Sequence, residues 1–590
     1  MTQASLRSHP SGPAPGISGT PSTDPRWGSM AVQTSYPGVY VTELPSGVRT
    51  VTGVATSVTA FVGMTRRGPV NKATVINSLA DYERVFGGLY KGSTVSFAVR
   101  DFFANGGGQA VVVRLVSTGE EKPKPAQVTL PATATPPAGK RTPKTLGSPD
   151  SPVPGAAGEG TTDAAKSLGL TLEATEVGAW ADDLMVTVDR NTPPNIAGEV
   201  AKQLDVNRDD LFNLVVRLGD KGPQEVFPNV TVVESSRRVD KVLLAESQLV
   251  RVVVDPNLAA PATTEKPATV SEKGSDGAAL APGDYFGGDL SSEHEGLYAL
   301  DHVDLFNLLC IPPATPDGDT DPVVYQAAQT YCAQRRAVLI VDPPSDMTVA
   351  NALDEPSEDS AKKKNLADLG LTGEAARNSV LYFPRLKQPD PTERGRIGTF
   401  VGCGAIAGVI ARTDATRGVW KAPAGVDATL TGISGLAVNL TDAENGTLNP
   451  HGINCLRTFP GTGTVLWGAR TLRGADHLGD EYKYLPVRRL ALHIEESLFR
   501  GTQWVVFEPN DEPLWAQIRL NLGAFMHNLF RQGAFQGTTA RDAYFVKCDR
   551  ETTTANDVNA GQVNIVVGFA PVRPAEFVVL QIQQIAQAQA

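Results

Sequence analysis

An interruption in the apolar pattern constrains the fold more than any other feature of this sequence. Residues 119–168 hold nine prolines and few large apolar side chains. Such a composition is typical of extended, exposed linkers and not of a hydrophobic core. A second polar stretch covers residues 256–284. The chain therefore cannot fold as one continuous unit, and its 590 residues also exceed what a single core organises.

These polar stretches and a Ser-, Pro- and Gly-rich leader divide the chain into candidate domains. Met30, directly before the first patterned segment, is an alternative to Met1 as the translation start. The predicted divisions are a disordered leader over 1–30, an N-terminal arm and first part of the core over 31–118, a Pro-rich linker over 119–168, an inserted variable β-rich domain over 169–290, a central α/β domain over 291–480, and a C-terminal domain with a terminal arm over 481–590.

The central part has the pattern of parallel strands joined by helices. Apolar runs at 305–311 and 337–341 flank a helix predicted over 324–335, which together form a β-α-β unit. A second apolar helix is predicted over 398–411. Near the N-terminus, a helix over 77–86 has Asn77 or Ser78 as its cap and glycine after its last residue. The predicted fold class is α/β and α+β, with several domains.

The C-terminal segment has the strongest helical periodicity. Two predicted helices repeat apolar side chains every three or four residues, which indicates buried faces. The residues of these faces are Val487, Leu490, Ile494 and Leu498 on the first helix and Trp515, Ile518, Leu522, Phe525 and Leu529 on the second. Three strands over 544–548, 562–570 and 576–585 are predicted to form an antiparallel sheet covered by these helices.

Patterns that would indicate catalysis or metal binding are incomplete. Asp342 stands at the predicted end of a parallel strand, where α/β enzymes bind ligands, but Pro343 and Pro344 are also a way of ending a strand. The pairs His294-Glu295 and Asp301-His302 match no familiar ligand spacing. The glycines of 402–408 and 461–463 complete no nucleotide-binding motif and predict packing or turns. We therefore predict no enzymatic activity, cofactor or metal.

Charge and hydropathy exclude further classes of protein. With 53 basic and 64 acidic residues the net charge is −11, which disfavours nucleic-acid binding. No signal peptide and no apolar run long enough to span a bilayer is present in the sequence, so we predict no direct membrane insertion and a cytosolic chain. The five cysteines lack paired spacing and are predicted to be buried thiols.

Short strand-forming segments stand near both ends of the chain. Residues 36–41 follow the polar leader, and a β-rich tail ends the sequence. Segments of this kind can add to the sheet edge of another chain, which would produce a polymer. Pairing of both ends within their own subunit is equally compatible with the pattern.

An ordered series of motifs resembles the contractile tail sheath proteins of phages and of phage-tail-like contractile injection systems. The similarity covers most of residues 31–118 and 296–590. In chain order the motifs are YPGVYVTE at 36–43, VTAFVG at 58–63, RGPV at 67–70, GCGAIAG at 402–408, RTDATRGVWKAPA at 412–424, NPHGIN at 449–454, WGART at 467–471, YLPVRR at 484–489, FEPN at 507–510 and GAF at 533–535.

The resemblance implies a structural protein that polymerises as a helical stack of hexameric rings around an inner tube and contracts to drive the tube through a target envelope. It implies a conserved core built from N- and C-terminal segments, an inserted β-rich domain and strand-donating terminal arms. The implied partners are other sheath subunits, the inner tube protein, and baseplate and terminal cap proteins. Assembly would be cytoplasmic, in a phage tail or injection particle that stays there or is released. The alternatives are an α/β enzyme with a Rossmann-like core and another tail or baseplate component.

The resemblance also directs the choice of functional residues. The N-terminal inter-subunit arm is predicted to use Val39, Tyr40 and Val41. The residues predicted for the C-terminal sheet and arm are Val563, Ile565, Val567, Phe569, Val579 and Leu580. Arg519 and Arg531, on the helix after Pro513, are candidates for contact with the inner tube. For both arginines a solvated helix face is the alternative interpretation.

Overall fold

A computed structural model describes residues 51–133, 169–220, 222–253, 258–355 and 364–581, all within one compact unit, Val51–Ala590. The predicted leader, Met30 and the N-terminal arm with Val39, Tyr40 and Val41 lie outside the described residues. The helices are α1 Leu79–Phe86, α2 Thr94–Ala104, α3 Pro194–Leu204, α4 Val239–Glu246, α5 Pro282–Phe286, α6 Leu290–Glu293, α7 Pro322–Gln334, α8 Cys403–Arg417, α9 Asp442–Leu448, α10 Leu485–Gly501, α11 Glu512–Arg531, α12 Ala540–Ala543 and α13 Ala555–Asn559.

The strands are β1 Thr59–Gly63, β2 Thr74–Ile76, β3 Ala110–Arg114, β4 Gln127–Thr129, β5 Thr171–Ala174, β6 Leu184–Asp189, β7 Phe212–Leu218, β8 Gln224–Val230, β9 Val250–Val252, β10 Ala268–Thr269, β11 Leu308–Cys310, β12 Val338–Val341, β13 Ser379–Phe383, β14 Leu386–Asp390, β15 Arg396–Phe400, β16 Gly435–Leu436, β17 Ile453–Phe459, β18 Gly463–Leu466, β19 Tyr544–Lys547 and β20 Val566–Phe569.

The largest sheet has eight strands in the order β18-β17-β13-β12-β11-β1-β3-β2. The strands from β17 to β3 pair in parallel, and β18 and β2 close the two edges with antiparallel pairing. The predicted β-α-β unit is confirmed, because α7 connects the parallel neighbours β11 and β12. Strands from the N-terminal and central segments thus share one sheet, which confirms the mixed α/β class.

Residues along the central strands alternate between two apolar cores. Phe61 and Ile340 face the core that contains α2 and α8, whereas Val62 and Val341 face the core that contains α7. Because helices cover both faces, these strands read as continuous apolar runs. Helices α2 and α8 lie so close that a Cβ on Gly404 would lie 2.0 Å from the Ala98 carbonyl oxygen. The glycines of 402–408 therefore pack helices, as predicted.

The inserted domain has its own core between two antiparallel sheets, β10-β6-β7-β8 and β4-β5-β9. The prediction that 119–168 is a linker is wrong for its described part, 119–133. Residues 127–129 form β4, and Val128 and Leu130 are buried in the domain core. Pro125 and Pro131 flank this short strand and do not interrupt it. The proline-rich composition of 119–168 therefore concealed strand β4.

In the C-terminal domain, α10 and α11 bury their predicted apolar faces in a fourth core, and the sheet β19–β20 packs on α11. The third predicted strand, 576–585, is wrong for its described part, 576–581, which has no strand partner. Pro571 and Pro574 precede it and lack backbone N–H donors. The helix predicted over 398–411 begins only at Cys403, because residues 396–400 pair with β14.

Candidate functional site

The strand ends where an α/β enzyme would bind its ligand are filled by the protein's own side chains. Asp342 follows β12, and its Oδ1 accepts hydrogen bonds from the backbone N–H groups of Gly402 and Cys403 at 3.1 and 2.9 Å. The buried Arg385 donates to the Pro343 carbonyl at 3.0 Å and to Asp319 at 2.5 Å. The cavity left beside them is about 10 Å³, room for about one water molecule. Asp342 thus caps α8 and adjoins no substrate-sized space.

The buried carboxyl group of Asp342 predicts a pH effect on stability. Burial raises its pKa to about 6, from about 4 in an unfolded chain. Its ionised form is therefore disfavoured by folding, and stability is lost as the pH rises from about 4 through about 6. Because Asp342→Asn keeps an acceptor without titrating, its stability relative to the wild type should rise by about 2 kcal/mol between pH 4 and pH 7. Denaturation midpoints of both proteins at the two pH values test this, and parallel shifts would contradict it.

The other side chains considered as metal ligands or reactive groups form no site of that kind within the described residues. His294 Nδ1 lies 3.2 Å from Asp301 Oδ2. The described parts of the chain contain no group of three or more His, Cys, Asp or Glu side chains arranged to hold a metal ion. All five cysteines are buried free thiols, as predicted. Within the ranges that the structure describes, no helix is both long and apolar enough to cross a bilayer.

The residues predicted for the C-terminal sheet and arm fall into two groups. Val563, Ile565, Val567 and Phe569 are half-buried against the C-terminal core. Within the described residues, β19 and β20 pair only with each other, so each has an outer edge without a strand. Sheets of two strands accept further strands at such edges.

The second group lies in the tail after β20 and points into solvent. Val579 and Leu580 are 81% and 80% exposed, and their neighbours Phe577 and Val578 are 74% and 79% exposed. Four consecutive apolar side chains with this exposure are unusual on a monomer surface. The tail and the open sheet edges are therefore two surfaces of the subunit that lack partners within its described residues.

The tail is held to the rest of the subunit by Glu576, which the sequence analysis missed. Arg470 Nε and Nη2 donate to the two carboxylate oxygens of Glu576, both at 2.7 Å. The Tyr484 hydroxyl donates at 3.0 Å and the Asn449 side-chain amide at 2.8 Å. Burial acts to raise the pKa of Glu576, but the Arg470 hydrogen bonds and charge hold it below its usual value. These partners are distant in sequence, so no spacing could reveal the contact; the available signal was that Arg470 and Tyr484 lie inside recognised motifs.

The two candidate arginines on α11 have different surroundings. Arg519 Nη2 lies 2.7 Å from Glu512 Oε1, and its Nη1 donates to the Cys548 carbonyl. Arg531 is exposed and has no ion pair or hydrogen bond with any other residue that the structure describes. It ends an exposed stripe on α11 that includes Leu520 and Ala524. Arg531 is therefore the more accessible of the two.

Two family models match the chain in consecutive order. The phage tail sheath protein central domain matches residues 295–472, and the phage tail sheath C-terminal domain matches residues 479–585. These matches confirm the resemblance of the sequence motifs to contractile tail sheath proteins. The tail sheath protein of Vibrio phage KVP40 is 26% identical to this chain over 178 residues, and that of Enterobacteria phage T4 is 24% identical over 177 residues. Each match covers 30% of this chain and 25% of the relative, so it spans about a quarter of the curated proteins' length.

Solved structures have the same fold over most of this chain. The sheath complex of the extracellular contractile injection system PVC, in its contracted state, is 22% identical with a TM-score of 0.52, covering 93% of this chain and 98% of that one. The sheath tail protein of Desulfitobacterium hafniense is 12% identical with a TM-score of 0.53, covering 91% of this chain and 100% of that one. These similarities confirm the multidomain α/β architecture.

Proposed function

We propose that this chain is a structural sheath subunit. It polymerises as a helical stack of hexameric rings around an inner tube, and contraction of the stack drives the tube through a target envelope. The observation that carries the proposal is the exposed apolar tail, Phe577–Leu580, in a chain with both sheath-family domains. Covering this tail with protein is favourable because it removes apolar surface from water.

The structure supports a second copy of the chain as the partner that covers the tail. The sheet β19–β20 has open edges, so a tail from one subunit can extend the sheet of the next. Donor and acceptor surfaces then differ, and a contact of this kind repeats into rings or helices. The N-terminal residues Val39, Tyr40 and Val41 are proposed as a second donated strand. Hydrogen-bonded strands on flexible links would let subunits rotate without detaching.

The proposed mechanism requires no chemical fuel. An extended stack that is kinetically trapped would contract once released, because contraction buries more surface between subunits. A non-enzymatic role is supported by the matches to two domains of a structural protein family. The further proposed partners are the inner tube protein and the baseplate and terminal cap proteins. Assembly is proposed in the cytoplasm, within a phage tail or injection particle that stays there or is released.

The direct test is polymerisation of the purified full chain, observed by negative-stain electron microscopy. We expect hollow, ridged cylinders, either from the chain alone or when the inner tube protein is added as a template. Cylinders would also give the helical rise and twist. Small closed oligomers under both conditions would contradict the proposal and favour the enzyme alternative.

Contact with the inner tube should depend on Arg531 more than on Arg519. Because Arg531 has no partner within the described residues and Arg519 is engaged with Glu512, Arg531→Glu should reduce sheath bound to tubes about tenfold without changing subunit stability. Arg550→Glu, a charge change at another exposed position of this domain, is the matched control. Co-sedimentation with inner tubes measures the effect, and equal binding by the two variants would contradict the assignment.

A further inference from the structure

Contacts between the C-terminal tail and the rest of the subunit end at Glu576, and the residues after it are exposed. Before this residue, the Val572 N–H donates to the Ala534 carbonyl at 3.3 Å, and Pro571 forms a bridge with Phe535. From Phe577 to residue 581, no hydrogen bond joins the tail to another described residue. The last attachment is therefore the Glu576 side chain itself.

The Glu576 attachment has the features of a built site. Arg470 is fully buried, and besides Glu576 it donates to Asp476 at 3.0 Å and to the Gly474 carbonyl at 3.3 Å. Its two bonds to Glu576 form a bidentate, charge-assisted pair, the most directional contact that a carboxylate can make. Tyr484 and Asn449 add one donor to each carboxylate oxygen. The carboxylate is thus saturated with donors and fixed in orientation.

The partners of Glu576 come from three different elements. Asn449 follows α9, Arg470 follows β18, and Tyr484 precedes α10. The tail follows β20 in the C-terminal domain, yet Asn449 and Arg470 attach it to the central domain. We propose that the contact between Glu576 and Arg470 is a clamp that fixes where, and in which direction, the C-terminal arm leaves the subunit, so that the arm is delivered to the sheet of one neighbouring copy. This proposal rests on the proposed function of the tail as an inter-subunit strand.

The clamp shortens the mobile part of the arm. Without it, residues 573–576, which follow the hydrogen bond of Val572, would join the exposed segment, and the longer chain would lower the effective concentration of the arm at a neighbour's sheet edge. Pro574, within this stretch, also restricts its backbone while it is held. Loss of the clamp should therefore slow strand capture without removing the strand that is captured.

The clamp itself is tested by hydrogen exchange on the full-length subunit. Glu576→Gln should accelerate exchange of the Val572 amide at least about tenfold, because local opening then no longer breaks the ion pair. Among residues 571–576, only the Val572 N–H donates a backbone hydrogen bond to another described residue. Glu551→Gln is the matched control, since Glu551 is exposed and its side chain has no partner among the described residues. Unchanged exchange in Glu576→Gln would overturn the clamp.

A milder variant separates release of the tail from unfolding. Glu576→Gln removes the main counter-charge of the buried Arg470 and could destabilise the whole subunit. Tyr484→Phe removes one donor to Glu576 and leaves the ion pair intact. It should produce a smaller acceleration, about threefold, at the Val572 amide, while exchange in the eight-stranded sheet stays at the wild-type rate. Acceleration throughout the subunit in both variants would mean that the contact is structural only, and would overturn the proposal.

Assembly kinetics test the delivery of the arm. If wild-type chains form cylinders, Glu576→Gln should slow their formation, followed by light scattering, about tenfold. If exchange shows that the tail is released in Glu576→Gln and cylinders of this variant still form at the wild-type rate, the clamp has no role in delivering the arm. If wild-type chains form no cylinders even on tubes, the proposed function fails, and the exchange experiment still decides whether the clamp holds the tail.

Discussion

Replacing Val579 and Leu580 together with aspartate should abolish cylinder formation and leave the subunit folded. Both side chains are about four-fifths exposed in the single chain, so charges there cost the monomer little. Adjacent residues of a strand face opposite sides. Whichever register the tail adopts in a neighbour's sheet, one of the two carboxylates therefore faces the buried side. An unpaired buried carboxylate should raise the critical concentration for assembly about a hundredfold or more.

The matched control places the same charges on exposed apolar residues elsewhere. Val226 and Leu244, in the inserted domain, are 55% and 70% exposed, and Val226→Asp with Leu244→Asp adds the same charge to the subunit. Sedimentation at increasing protein concentration gives the critical concentration, and circular dichroism verifies the fold. If the control impairs assembly as much as the tail variant, general repulsion between acidic subunits is responsible and the tail is not an inter-subunit strand.

Local signals in the sequence predicted the elements that depend on neighbouring residues. Helix α1 begins where the Ser78 hydroxyl accepts from the Asp81 N–H at 3.1 Å, and it ends at Gly87 with φ +86°. Ser78 and Gly87 act on backbone groups within one helical turn, so the local sequence is enough to predict both ends of the helix. The apolar faces of α10 and α11 were predictable for the same reason, since burial follows the helical repeat.

The errors arose where distant residues decide the outcome. The segment after Ala575 has the composition of a strand, but Glu576 is bonded to Arg470, 106 residues away, and the tail has no strand partner within the described subunit. Strand β4 was missed because two sheet partners, β5 and the residues near Glu272, stabilise a segment with weak apolar content. The motif resemblance directed the choice of residues on the C-terminal tail and on α11. The structure adds that Arg531 is exposed, whereas Arg519 is paired with Glu512.

The largest loss of subunit stability is expected from breaking the ion pair between Asp414 of α8 and Arg489 of α10. Both side chains are only 3% exposed. Arg489 Nη1 donates to Asp414 Oδ1 at 2.8 Å, and Nη2 also donates to the Thr56 carbonyl at 2.7 Å. The neighbouring His493 cannot replace the cation, because burial lowers its pKa to about 4. Arg489→Met should therefore leave Asp414 as an uncompensated buried charge and cost about 3–5 kcal/mol.

The exposed pair Arg84–Asp81, at 2.8 Å, provides the control for this effect. Arg84→Met should cost less than about 1 kcal/mol, because water screens that pair. The double variant Arg489→Met with Asp414→Leu removes both buried charges and should recover most of the lost stability. Denaturant midpoints of the single subunit measure all three changes.

A loss of stability for Arg489→Met as small as that for Arg84→Met would show that water reaches the pair between Arg489 and Asp414. If the double variant is as unstable as Arg489→Met, the hydrogen bond from Arg489 to the Thr56 carbonyl contributes more to stability than the ion pair with Asp414.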